Sequence, residues 1–350
     1  MTNNLTIRDI SKYAQVSTAT VSRVLANSSK VKPETRDRVL KAIAEHGYEP
    51  NHVARNLTVK RTNTVGLVVE SVANPFFVEV AQAVETELSQ ARLTLLLMST
   101  SWDSNKELDS VRTLLRNRVD GILLTPISAN SESVKLMQRW GLPFVLLNID
   151  PTAEGLPTVS ADNFRGGYLA AQALRESAAE QFFCLQGFAH ESTFSRIDGF
   201  KAAMQQVPGE SHREIRVIAD VRTYQEGYDI VQSLMRKMPS SGPLGVFATN
   251  DDVALGVLAS LFDHGIRVPQ QVAVVGYDDI PAARRFQIPL TTIAQPIQEM
   301  GRIAAQELIH SLSDSDHQPK SHVLLPRLVQ RSSTLPVSTP SDLYFRQKRP

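Results

Sequence analysis

The sequence has a single cysteine, Cys184, in 350 residues, so no internal disulfide can form. It lies in the apolar run QFFCLQG and reads as a buried structural thiol. No uninterrupted apolar run approaches the ~18 residues of a membrane span. The start, MTNNLTIRD, lacks the basic-then-apolar order of a secretion signal. Both absences lead to the expectation of a soluble, cytoplasmic chain. Catalytic signatures are missing too. There is no GxxxxGK(S/T) phosphate loop, no HExxH, no Cys/His pairing at metal spacing and no GxSxG elbow. The eight histidines are scattered, and NFRGGYLA carries glycines without the dinucleotide spacing. No enzyme, metal or other cofactor is expected.

Net charge is scarce as well, at +1. The average conceals an asymmetry. Residues 1–61 hold eleven Lys/Arg against five Asp/Glu, a net of +6, which leaves −5 for the rest. A basic head on a mildly acidic body points to a polyanion partner for the head alone. Within the head, TIRDISKYA places Thr6 as an N-cap with Asp9 three residues on, a variant capping box. Ile7, Ile10 and Ala14 follow at helical spacing. The turn AQV leads to a second cap at Ser17 and the helix TATVSRVLAN, with Val21, Val24 and Leu25 on its apolar stripe and Asn27 at its stop. A third helix begins at Pro33, carries Val39, Leu40 and Ile43 inward, and ends at Gly47.

Two short helices joined by a tight turn, with a third packed on them, form a helix-turn-helix. In that motif the second helix lies in the DNA major groove. Thr18, Ala19, Ser22 and Arg23 would face the bases, with Thr20 beside them, and Thr6, Ser17 and Asn27 are further expected DNA contacts. Arg can pair guanine bidentately, Thr bonds either way, and Ala offers a methyl. A solvated three-helix bundle is the alternative.

The stretch TIRDISKYAQVSTATVSRVLANSSKVKPETRDRVLKAIAEHGYEPN resembles, without a gap, the DNA-binding head of the lactose/galactose repressor family. VSTATVSRVL and GYEPN carry that resemblance most specifically. It implies that NHVARNLTVKRTN is a hinge helix that folds when a dimer docks on its operator. Asn51, Ala54 and Arg55 then lie at the DNA, Val53 faces its twin, and Leu57 wedges a base step through the minor groove. A plain basic linker is the alternative.

After Arg61 the pattern changes. Apolar runs (TVGLVVE, LTLLLMST, GILLTP, PFVLLNI, FFCLQG, REIRVIAD, LGVFATN, VAVVGYD, LTTIAQP) alternate with helical stretches. Such runs indicate parallel sheets covered on both faces, an α/β, doubly wound body. The resemblance extends to periplasmic sugar-binding proteins and implies two lobes with three crossovers. The expected layout is a head over 1–48, a hinge over 49–61, a core over 62–335 and a tail over 336–350. The first lobe takes 62–161 and 291–321, the second 162–290 and 322–335. The tail lacks the leucine heptads of a tetramerising coiled coil, so a homodimer is expected.

Ligands in such folds bind at carboxyl strand ends between lobes. Asn74, Phe76 and Phe77 follow the first run, and Trp102 and Asp103 the second. Thr125 and Asn148 end the next two. HESTFSR offers His190, Ser192 and Arg196, and the later strands offer Asn250, Asp278 and Gln295. The resemblance implies effector contacts at Phe76, Arg196 and Asp278. Asn250 serves equally as a helix cap, Phe77 as core and Trp102 as surface packing. His190 stands where the purine-responsive branch carries Arg, and ADVRTYQEGY lacks that branch's aromatic and has an extra residue. A sugar or polyol effector is therefore expected over a purine. The expectation is a ligand-responsive repressor that binds operator DNA, with a solute-binding receptor as the runner-up.

Overall fold

The computed structural model describes residues 5–25, 28, 30–48, 61–151, 155–177, 179, 181–205, 214–236, 243–314 and 316–334. Asn27, the hinge residues Asn51, Ala54, Arg55 and Leu57, and the tail lie outside the described residues. The chain divides into two compact units, Met1–Thr62 and Asn63–Pro350.

The smaller unit has three described helices, α1 (Ile7–Tyr13), α2 (Thr18–Leu25) and α3 (Pro33–His46). The Thr6 backbone N–H and hydroxyl both donate to Asp9 Oδ2, at 2.9 and 2.6 Å, which starts α1. Ser17 Oγ accepts from the Thr20 backbone N–H at 3.1 Å and starts α2. Gly47 ends α3 in the left-handed region at φ 61, a conformation glycine adopts without strain. Ile10, Ala14, Val21, Val24, Val39, Ala42 and Tyr48 form the core. Leu40 departs from expectation: it is 47% exposed, and Ala42 takes the inner place. Val39, Ala42 and Ile43 share the i, i+3, i+4 face, and Leu40 sits about 100° around the helix from Val39.

The larger unit holds two six-stranded sheets. In chain order come β1 (Thr64–Val69), α4 (Pro75–Gln90), β2 (Thr94–Ser99), α5 (Ser104–Arg116), β3 (Gly121–Leu124), α6 (Glu132–Trp140), β4 (Phe144–Leu147) and β5 (Thr158–Ala161). Then follow α7 (Asn163–Arg175), β6 (Gln181–Leu185), α8 (Glu191–Gln205), β7 (Glu214–Ile218), α9 (Tyr224–Arg236), β8 (Leu244–Ala248), α10 (Asp251–Asp263), β9 (Val272–Asp278) and α11 (Pro281–Arg285). The last elements are β10 (Thr291–Ala294), α12 (Ile297–Ser313), β11 (His322–Leu324) and β12 (Arg327–Val329). The sheet orders are β11-β5-β4-β3-β1-β2 and β12-β10-β9-β8-β6-β7, parallel throughout except for the β10/β12 pair.

Strand alternation feeds both faces of each sheet. Val65, Leu67 and Val69 pack with α4 and α12, whereas Val68 packs with α5 and α6. In the second sheet Phe183 and Leu185 face α9 and α10, and Phe182 and Cys184 face α7 and α8. Burial pushes the Cys184 thiol up to about 12, which leaves it inert.

The lobe boundaries fall later than expected. Thr291–Ala294 belongs to the second sheet, paired with β9, and His322–Leu324 to the first, paired with β5. The chain therefore crosses at Asp162, at Gln295–Pro296 and at Leu325–Pro326, not at 290/291 and 321/322. LTTIAQP is a complete strand, so the crossing waits for its end.

In the second lobe, two helix pairs cross at glycines. A Cβ on Gly167 of α7 would collide with the Arg196 backbone carbonyl on α8, and one on Gly199 of α8 would collide with the Phe164 carbonyl on α7. Gly227 and Gly256 make the same reciprocal approach between α9 and α10. No described helix is long and apolar enough to cross a membrane.

Candidate functional site

On the head, Thr18, Ala19, Ser22 and Arg23 are exposed on α2 while Val21 and Val24 are buried. The amphipathic spacing turns one face to the core and leaves the other free for base edges. Ser17 is exposed at the α2 N-terminus, and its hydroxyl lies 2.9 Å from that of Thr20. Thr6 is engaged in capping α1.

In the body, the carboxyl ends of the strands converge on a cleft between the lobes, about 490 Å3 of atom-free space when the solvent at its opening is counted. The first lobe contributes Glu70, Asn74, Phe76, Phe77, Trp102 and Asn148. The second contributes His190, Ser192, Arg196, Arg222, Asn250 and Asp278, with Gly187, Phe188, Thr193 and Thr249 around them. Gln295 enters from a crossover. Phe76 and Phe77 meet edge to face at 5.0 Å.

Two of the expected residues lie elsewhere. Asp103 caps α5, accepting from the backbone N–H groups of Asn105 and Lys106 at 2.8 and 3.2 Å. Thr125 is buried, and its hydroxyl donates to the Val68 carbonyl at 3.3 Å. Asn74 and Asn250 line the cleft and also cap helices, accepting from Phe76 N at 3.0 Å and Val253 N at 2.8 Å. Glu70, Phe188, Arg222 and Thr249 were not foreseen. Glu70 was legible only as the acid that closes TVGLVVE.

Arg196 is buried and held on three sides. Nε donates to Asn163 Oδ1 at 2.9 Å, Nη1 donates to the Thr249 carbonyl at 2.6 Å, and the guanidinium lies 3.8 Å from the Tyr277 ring centroid. Asp278 accepts from Gln295 Nε2 at 2.7 Å. Burial pushes the Asp278 carboxyl up to about 7 against the pull of Arg196. Behind it Asp251, also buried, is raised by burial and by Asp278, and accepts from Thr292 Oγ1 at 2.6 Å. Burial likewise pushes Glu70 up to about 8, with the charge of Arg196 and the indole of Trp102 acting against it.

His190 spans the cleft. Its Nε2 lies 2.9 Å from the carbonyl of Pro126, in the first lobe, and its Nδ1 lies 2.7 Å from Ser192 Oγ. A carbonyl can only accept, so Nε2 carries the proton and Nδ1 accepts from Ser192. Burial holds the ring below its usual pKa, in this neutral form. Both nitrogens are thus occupied by protein, which makes His190 a tie between lobes and not an open contact.

Two buried side-chain acceptors of the cleft are open. Asn148 Oδ1 and Gln295 Oε1 have no hydrogen-bond partner among the described residues. Asn148, Trp102 and Asp278 also hold positive φ, at 57, 57 and 118. Such backbone is costly for non-glycine residues and clusters at functional sites.

Comparison with known proteins agrees with this architecture. Residues 6–51 match the lacI family of bacterial regulatory proteins, and residues 171–334 match the periplasmic binding protein-like domain. The HTH-type transcriptional repressor PurR of Vibrio atlanticus (strain LGP32) is 32% identical over 335 residues, covering 94% of this chain and 98% of that protein. The ribose operon repressor of Haemophilus influenzae is 32% identical over 331 residues, with the same two coverages, 94% and 98%. The solved complex of the transcriptional regulator CelR with cellobiose is 29% identical with a TM-score of 0.68, covering 94% of this chain and 99% of that one. With a helix-turn-helix head, a two-lobed body and relatives of this similarity along nearly its whole length, the chain belongs to the lacI family of bacterial regulatory proteins, as a ligand-controlled, DNA-binding transcriptional regulator.

Proposed function

We propose that the protein is a cytoplasmic repressor, without a catalytic step, whose hold on a double-stranded operator is set by a polyhydroxylated small molecule between the lobes. The observation that carries the ligand class is the pair of open acceptors, Asn148 Oδ1 and Gln295 Oε1, in a cleft walled by Phe76, Phe77 and Phe188. Buried acceptors without partners cost about 1–3 kcal/mol each, and a ligand rich in hydroxyl donors relieves both at once. Aromatic faces beside them suit the C–H face of a sugar. Relatives named for ribose and solved with cellobiose support this reading. The same aromatic faces suit a flat purine, which is the second reading.

On the DNA side, Thr18, Ala19, Ser22 and Arg23 read a half-site, and two heads of a homodimer read a pseudo-palindrome. The dimer face includes β2, the outer strand of the first sheet, where Leu96 and Leu97 are 39% and 45% exposed. Long apolar edges are rarely left bare. Ligand binding changes lobe closure, and closure changes the free energy of docking the heads, a coupling between two sites.

The test is a thermal-shift screen of pentoses, hexoses, disaccharides, polyols, hypoxanthine and guanine, followed by operator titration with each hit. The expected result is a polyol that raises the melting temperature and moves operator affinity, and an Asn148→Ala variant that weakens both effects. Stabilisation by purines alone would replace the polyol with the second reading.

A further inference from the structure

Arg222 lines the cleft from the second lobe, its side chain 36% exposed. Its backbone is pinned at the start of α9: the N–H groups of Arg222 and Thr223 both donate to Glu226 Oε2, at 2.7 and 2.9 Å. Its guanidinium carbon lies 5.0 Å from the centroid of Phe188, another cleft residue. Nη2 donates to Asp220 Oδ1 at 2.8 Å, on a carboxylate whose side chain is 67% exposed. Nε is buried and has no hydrogen-bond partner among the described residues. A guanidinium has five donors and no acceptor, so a buried, unpaired Nε–H calls for an acceptor, best an anionic one.

The open atoms of the cleft therefore form a pattern. Asn148 Oδ1 and Gln295 Oε1 require donors, and Arg222 Nε requires an acceptor. We propose that the effector is an anionic polyol, with hydroxyls to Asn148 and Gln295 and a carboxylate or phosphate on Arg222. This rests on the polyol reading above and sharpens it to a charge class.

The second guanidinium, Arg196, spends Nε and Nη1 on Asn163 and the Thr249 carbonyl and lies over the Tyr277 ring, whereas Arg222 keeps a buried Nε without a partner among the described residues. The two acids lining the cleft, Glu70 and Asp278, do not cancel it. Burial raises both, Glu70 to about 8 and Asp278 to about 7, so at neutral pH Glu70 is largely protonated and Asp278 about half so. The exposed Asp220 is a surface partner of little worth, which an incoming anion displaces or joins.

The experiment is a binding series on the full chain by calorimetry and thermal shift. The probes are gluconate and glucuronate, ribose phosphate, neutral glucose and ribose, and hypoxanthine. Wild type, Arg222→Gln and Arg222→Lys are compared, with the ligand-free melting temperature of each checking the fold. One anion class is expected to bind wild type most tightly, which also tells carboxylate from phosphate. Arg222→Gln is expected to weaken it about 10- to 100-fold, the worth of a hydrogen bond to a charged group, and Arg222→Lys to recover part of the loss. Neutral polyols are expected to bind weakly and to ignore the substitution. If neutral polyols bind as well as anions, or Arg222→Gln binds the anion unchanged, the charge assignment fails and the polyol reading stands. If hypoxanthine alone binds, or no probe binds, both fail.

Discussion

Replacing Gly167 with Ala separates two opposing effects by sign. In a helix interior, Ala is favoured over Gly by about 0.5–1 kcal/mol, so an unobstructed site would be stabilised. Here the new Cβ would meet the Arg196 backbone carbonyl far inside contact distance. Backbone cannot rotate away as a side-chain tip can, so α7 and α8 must part by well over an ångström. Overpacking of this kind costs typically 1–3 kcal/mol and at times more, which outweighs the propensity gain. The expected net effect is a loss of about 1–2 kcal/mol in denaturant unfolding of the body. The loss extends to the cleft. The Arg196 bond to Asn163, at 2.9 Å, bridges the parting helices, while its bond to the Thr249 carbonyl, at 2.6 Å, ties α8 to the end of β8; parting α7 from α8 strains the first, so ligand affinity falls more than stability alone would dictate. Gly199→Ala forces the same separation from the other helix. Once the helices are apart the second methyl meets less resistance, so the double variant should lose less than the sum of the singles. A stabilised Gly167→Ala, or strict additivity, would refute the account.

Three further outcomes are expected. Glu70 sits near 8 in the folded chain against an ordinary 4.5, so the unfolded chain releases its proton first and stability falls as pH rises between those values. His190, held below 6.5, costs stability only on the acid side of that value. Between pH 7 and 8 the slope from Glu70 then falls from about 1.2 to about 0.7 kcal/mol per pH unit, and Glu70→Gln is expected to lower the total slope by that much in denaturant titrations; an unaltered slope would clear Glu70 of the effect. Arg23→Ala on α2 should cost about 1–3 kcal/mol in specific operator binding by fluorescence anisotropy, with ligand binding by the body unchanged. Leu97→Glu on the exposed edge of β2 should give a monomer in light scattering and lower operator affinity; an intact dimer would place the interface on another face.

The head and the sheets were legible in the sequence because they rest on local pattern. The caps at Thr6 and Ser17, the stripe of Val21 and Val24, and nine near-continuous apolar runs need no knowledge of what lies beside them. Of the three strands that escaped, β11 and β12 are three residues long, too short for a period to register, and β5, TVSA, lacks the continuous apolar run that marked the equally short β3 and β4. In the cleft, the strand-end rule located residues along the chain but not their side-chain directions. Thr125 ends a strand, yet its hydroxyl turns back to the Val68 carbonyl, and Asp103 spends its carboxylate on a helix start. Glu70 was hidden for the opposite reason. An acid at the end of an apolar run reads as the boundary of burial, and here burial continues past it. Arg222 lay in a segment already noted for its missing aromatic, but only the fold shows that its guanidinium reaches the cleft and lies against Phe188.

The three crossings also dictate how the lobes can move. The first and third lie close enough for the backbone N–H of Asp162 to bond the carbonyl of Leu324 at 2.8 Å. Within the second lobe the glycine contacts leave α7 and α8 no room to slide past one another. Sliding of one helix past the other is thereby blocked there, so the second lobe moves as a unit and rotation about the crossings is the freedom expected between lobes. A substitution at these crossings away from Gln295, such as at Pro326, touches no open atom of the cleft and no base-reading side chain. It would alter the transmission between ligand and operator while leaving the intrinsic affinity for each in place, so these connections, and not the walls of the cleft, are where the gain of the switch is set.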